Sequence, residues 1–86
     1  MSWRVEFTSE GVSGLRKLDL SLQRRVLRRL QWLADNFTAI TPEALSGSLA
    51  GFYKFRIGSY RVIYTVDDAR QLIVVHMVGH RSEIYS

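Results

Sequence analysis

The spacing of apolar residues changes period along the chain, and each change marks a different kind of element. Trp3-Arg4-Val5-Glu6-Phe7 alternates apolar with charged, which predicts a short half-buried strand. Thr8 or Ser9 then caps a first helix with Glu10 in its opening turn; Gly11 and Gly14 weaken it, and it runs to about Leu18. Asp19 or Ser21 caps a second helix. Its apolar residues Leu22, Val26, Leu30, Leu33 and Phe37 recur at steps of four, four, three and four, one stripe on a 3.6-residue period. Arg24, Arg25, Arg28 and Arg29 are expected on the opposite side. The helix stops near Asp35-Asn36, and Thr41-Pro42 marks a break beyond it.

Residues 38–51 read as a loop with one helical turn around Pro42 to Leu45. The period then becomes two. Residues 52–57 predict a strand, Gly58-Ser59 a two-residue hairpin turn, and residues 60–66 the return strand. Residues 67–71 turn again, and the near-continuous apolar run of 72–78 predicts a central strand buried on both faces. The order is β-α-α-β-β-β. Two helices lying across a small, mainly antiparallel sheet make an α+β domain, taken as one unit over residues 1–86. The first strand is expected at an edge or beside the strand from Phe52.

Charge adds a partner to this picture. Twelve Lys and Arg against eight Asp and Glu leave the chain at +4, with a pI near 10.0. Ten of the twelve cations are arginine, whose planar fork suits bidentate phosphate contacts. The partner implied is a nucleic acid or an acidic protein, and composition does not choose between them. The chain has no cysteine, which excludes disulfides and thiolate metal sites and fits a reducing compartment. No HExxH or DxD spacing, Ser-His-Asp set or phosphate-cradling glycine loop is present, so neither metal nor cofactor is expected. No stretch approaches the roughly 20 apolar residues of a membrane span, and no signal peptide is visible. A soluble cytoplasmic protein without membrane contact is the expectation.

The candidate chemistry sits in the last third. Lys54 and Arg56 alternate onto one strand face, and Arg61, His80, Arg81 and Tyr85 follow at or near the ends of neighbouring strands. Metal-free RNA cleavage needs such groups: a 2′-hydroxyl loses its proton, attacks phosphorus, and expels a 5′-oxygen that is protonated in return. Charge on the non-bridging oxygens must be balanced throughout. Arg61 and Arg81 suit the scissile phosphate, and Tyr85 the hydroxyl proton if cations lower its pKa from about 10. Lys54, Arg56 and His80 would hold the backbone or assist the leaving group, and Arg25, Arg28 and Arg29 offer a phosphate-docking helix face. Replacing Arg61 or Arg81 is expected to abolish activity with little change in stability. His76, inside an apolar strand, reads as structural.

Leu15-Arg16-Lys17-Leu18, Leu45-Ser46-Gly47, Tyr53-Lys54-Phe55-Arg56, the block from Gly58-Ser59-Tyr60-Arg61 to Tyr64, and Gly79-His80-Arg81-Ser82-Glu83-Ile84-Tyr85 carry a resemblance. Across almost its whole length the chain resembles the RelE/ParE superfamily of type II toxin–antitoxin toxins, RelE-type mRNA endonucleases (mRNA interferases) above all. The resemblance implies an active site of Lys54, Arg56, Arg61, Arg81 and Tyr85, a substrate in the messenger codon of the ribosomal A site, contact with ribosomal RNA, and silencing by a RelB-like antitoxin. The basic pair departs from members that carry two lysines. The alternative implied by the same superfamily is a ParE-like toxin that inhibits DNA gyrase by binding, without cleaving RNA.

Overall fold

In the computed structural model, which describes residues 3–84, strand β1 (Arg4–Phe7) passes directly into helix α1 (Ser9–Arg16). Thr8 makes the joint. Its hydroxyl accepts from the Gly11 amide at 3.1 Å, capping the helix, while its own N–H donates to the Val75 carbonyl at 2.9 Å. Helix α2 (Leu20–Asp35) is capped by Asp19, whose carboxylate accepts from the Leu22 amide at 2.8 Å. Val26, Leu30, Leu33 and Phe37 of the predicted stripe are buried, and Leu22 is half-buried.

Five strands form one sheet in the order β1-β5-β4-β3-β2, with β2 (Glu43–Ala44), β3 (Tyr53–Ile57), β4 (Tyr60–Asp67) and β5 (Leu72–His80) joined antiparallel. Strand β1 does take an edge, but its neighbour is the last strand: Arg4 to Phe7 run parallel to Leu72 to Val75. A parallel pair needs a long crossover, and the two helices belong to it. Glu43 and Ala44, expected in a helical turn, are instead extended and pair with Lys54 and Tyr53. The proline signal that suggested a helix is local, whereas pairing with β3 satisfies backbone groups that a lone turn leaves open. The tail closes with the single helical turn α3 (Arg81–Ile84).

The helices cover one face of the sheet. Trp3, Val26, Leu30, Leu33, Ala34 and Phe37 pack there against Ile57, Val62, Tyr64, Ile73, Val75 and Val78. Each fully buried Leu, Ile or Val in this layer contributes about 1.5–3 kcal/mol. A bulge at His76, between the Ile63–Met77 and Tyr64–Val75 pairs, brings both Val75 and Val78 to the core although they are three apart. On the other face of β5, Val74, His76 and Met77 are half-buried, so the double-sided burial suggested by the apolar run is partial. Helix α1 continues past the end of β1 along β5. A Cβ at Gly14 would lie 2.5 Å from the Val78 carbonyl oxygen, and one at Gly11 would strike that of Val75, so helix backbone rests directly on strand backbone. No helix among the described residues is long and apolar enough to cross a membrane.

Candidate functional site

The β3–β4 turn, Gly58-Ser59, is where arginines collect. Gly58 has φ +58 and Ser59 is not among the positive-φ residues, a turn with its glycine at the first central position, which matches the twist of the flanking strands. Arg61 opens the return strand opposite Arg56 of β3 and Gly79 of β5. Its Nη1 donates to the carbonyls of Gly58 and Tyr60, each at 2.9 Å, and the residue is only 7% exposed. Arg25 reaches the same turn from α2, its Nη2 lying 3.0 Å from where a Gly58 Cβ would be. The Arg81 amide donates to the Ser59 carbonyl at 2.9 Å, which fixes the start of α3 beside the turn and leaves the Arg81 side chain exposed.

Alternation and register place Lys54, Arg56 and Arg61 together on the face that the helices leave uncovered. Lys54 is ion-paired with Glu43 of β2 at 3.0 Å. His80 is turned the other way. It stands opposite Tyr60, on the helix side, with the two rings perpendicular at 5.4 Å. Its Nδ1 accepts from the Ser82 amide at 3.1 Å, so in the neutral ring the proton is on Nε2, and Ser82 Oγ lies 2.8 Å from the same nitrogen. Arg28 is exposed on α2. Tyr85 lies outside the described residues.

The Tyr64 phenol is in its protonated form near neutrality. Burial, followed by the neighbouring Tyr53 and Glu43, pushes its phenol up to about 12. His76 is satisfied as expected, with Nε2 2.8 Å from the Thr65 hydroxyl and the Phe52 ring 5.1 Å away. Among the described residues, no group of three or more His, Cys, Asp or Glu side chains is placed to hold a metal ion.

Two features escaped the sequence. Arg25 contacts the turn from a helix more than thirty residues earlier in the chain, which no local signal announces. Arg29, expected on the solvated side of α2, is half-buried, with its Cζ 4.9 Å from the Trp32 ring centroid and 5.4 Å from that of Phe55. The spacing of Arg29 and Trp32, i and i+3 on one helix, was the available hint.

The sheet order and the helix pair laid on one face define an α+β protein, with Arg25, Arg61 and the Arg81 backbone meeting at its hairpin end. Residues 5–85 match the family model described as the ParE toxin of the type II toxin–antitoxin system parDE. Toxin RelG of Mycobacterium tuberculosis is 32% identical over 89 residues, covering 99% of this chain and 98% of that protein. Among solved structures, the toxin–antitoxin complex RelBE2 of M. tuberculosis contains a chain of 28% identity with a TM-score of 0.83, over 94% of this chain and 100% of that one. A free mutant of Escherichia coli toxin RelE follows at 26% and 0.76, over 99% and 92%. The chain belongs to the RelE/ParE superfamily of type II toxin–antitoxin toxins.

Proposed function

We propose that this toxin is a ribosome-dependent endoribonuclease that arrests translation by cutting messenger RNA in the A site, acts in the cytoplasm without a metal, and is silenced by a RelB-like antitoxin. The observation that carries the reading is the row of Arg56 and Arg61 across neighbouring strands, with Arg81 held to the same turn through its amide. A sheet face that holds fixed cations in register is suited to an anionic transition state. The likeness to a chain of a solved toxin–antitoxin complex supports the antitoxin partner.

In this mechanism the 2′-oxygen bonds to phosphorus as its proton leaves. The bond to the 5′-oxygen then breaks with protonation of that oxygen, giving a 2′,3′-cyclic phosphate and a 5′-hydroxyl. With Nη1 committed to two carbonyls, Arg61 offers Nη2 and Nε to the phosphate. Arg81 completes the charge balance from the exposed start of α3, and Tyr85 handles the hydroxyl proton. Lys54 and Arg56 hold the flanking backbone. Arg25 and Arg28 meet ribosomal RNA, and His80, turned to the other side, steadies α3. The ribosome supplies substrate geometry, an effect that reaches many kcal/mol.

The description of the matching family model favours a second reading, a ParE-like toxin that inhibits gyrase by binding. Induction followed by pulse labelling separates the two. The nuclease reading requires protein synthesis to fall first, with new 5′ ends on ribosome-bound message. Arg81→Ala should remove both effects by orders of magnitude while its Tm stays within about 3 °C of wild type, since the side chain is exposed. A first fall in DNA synthesis, or full arrest by Arg81→Ala, would overturn it.

A further inference from the structure

Strand β2 pairs only with Tyr53 and Lys54, so from Phe55 onward the outer edge of β3 has no strand beside it among the described residues. A groove of about 410 Å³ opens there, bounded by Arg29, Trp32, Glu43, Lys54, Phe55 and Arg56, and within the volume range of small-ligand sites. The Trp32 and Phe55 rings are parallel to within 5° with centroids 6.3 Å apart. The Arg29 guanidinium lies over both. One cation over two parallel rings means that the rings stand side by side, as a single step, with the guanidinium resting on it. Trp32 is nevertheless 42% exposed, a large area for an aromatic ring on a helix.

The geometry points to a stacking subsite: the Arg29–Trp32–Phe55 step takes an unpaired nucleobase of RNA, next to the linkage held by the sheet. The inference rests on the reading of RNA as the ligand and adds where a neighbouring base goes. Unpaired bases stack on aromatic rings and on guanidinium planes alike, and this step presents both. Arg56 belongs both to the groove and to the row with Arg61, so a strand crossing β3 there keeps its backbone on Arg56 and turns the next base onto the step. Charge agrees. Three cations border the groove against the single carboxylate of Glu43, which is ion-paired with Lys54. A peptide added along the free edge is the competing occupant, but it has no need of a cation laid across two rings.

The test is equilibrium binding of a short unpaired RNA with 2′-O-methyl riboses, which cannot be cut by 2′-hydroxyl attack, read by fluorescence anisotropy at low salt. Trp32→Leu keeps apolar volume against Phe55 but removes the π-face, and should weaken binding about five- to hundredfold; Trp32→Phe should restore most of it. An abasic nucleotide at one position should weaken wild type by the same factor and Trp32→Leu no further. The same abasic replacement in a message bound to ribosomes tells whether message or ribosomal RNA supplies the base. The proposal is overturned if wild type does not bind the RNA, if abasic RNA binds wild type as tightly as complete RNA at every position, or if the two losses simply add. It also falls if Trp32→Leu keeps its RNA affinity and loses only the antitoxin. Trp32-dependent binding without cleavage on ribosomes would sink the nuclease reading and leave the subsite standing. Cleavage without such binding would do the reverse.

Discussion

Replacing Arg61 with alanine should cost this protein stability as well as activity. The residue is only 7% exposed and its Nη1 joins the carbonyls of Gly58 and Tyr60, so it ties the hairpin turn to the strand it opens. A hydrogen bond from a charged group contributes about 1.5–3 kcal/mol. Both bonds here share one nitrogen, and water reaches the exposed turn, so roughly 2–3 kcal/mol is the combined loss rather than twice that. For a domain of this size each kcal/mol moves Tm by about 4–8 °C, which gives a fall of roughly 10–20 °C. Arg61→Lys keeps the charge but not the fork and should fall about half as far. Thermal melts followed by circular dichroism measure this, and translation arrest is then assayed well below the variant's own Tm to separate folding from chemistry. A Tm for Arg61→Ala within about 3 °C of wild type would refute the anchoring role. Undiminished arrest would refute the catalytic one. From the sequence, loss of Arg61 was expected to spare the fold; the side chain's return to its own turn predicts the opposite.

Glu43→Gln removes the carboxylate paired with Lys54 while costing under about 1 kcal/mol, because the pair is partly exposed. RNA binding should tighten severalfold at low salt, with a salt dependence steeper by about one phosphate; unchanged binding would remove Lys54 from the interface. Tyr64 carries a pKa raised from 10.0 to about 12, so its stabilising contribution is complete below pH 10 and is lost as pH rises through the folded value. At most about 3 kcal/mol is involved, and Tyr64→Phe should flatten the alkaline fall seen in melts between those limits. Gly14→Ala forces a methyl group against the Val78 carbonyl and should destabilise by about 1–3 kcal/mol, whereas the exposed neighbour Ser13→Ala should be silent in the same melts.

What the sequence made legible was whatever short-range spacing controls. The α2 stripe and the hairpin at Gly58-Ser59 depend on residues within a few positions of one another, and both are found as expected. The partner of β1 is not of that kind. A four-residue strand carries no mark of which distant strand it will join, and its parallel place beside β5 follows from the crossover. The extended Glu43-Ala44 shows the same conflict, with β3 outweighing a helical signal from Pro42. In the site, alternation put Lys54 and Arg56 on one face, and the β3–β4 register adds Arg61 to them. Side-chain direction at the strand ends was less accessible: His80 falls on the opposite face from Arg61, and Arg29 bends onto rings supplied by two separate elements.

The seating of α1 on β5 has a consequence for how this chain behaves when it is not quite folded. Leu72 to Val75 is the kind of uncharged apolar ribbon that recruits copies of itself when its amides and carbonyls are left bare. Strand β1 screens that stretch, and two glycines let a helix sit close enough to shut off the Val75 and Val78 carbonyls where β1 runs out. A chain that loses this clasp would turn sticky along its longest strand before the rest of the molecule came apart.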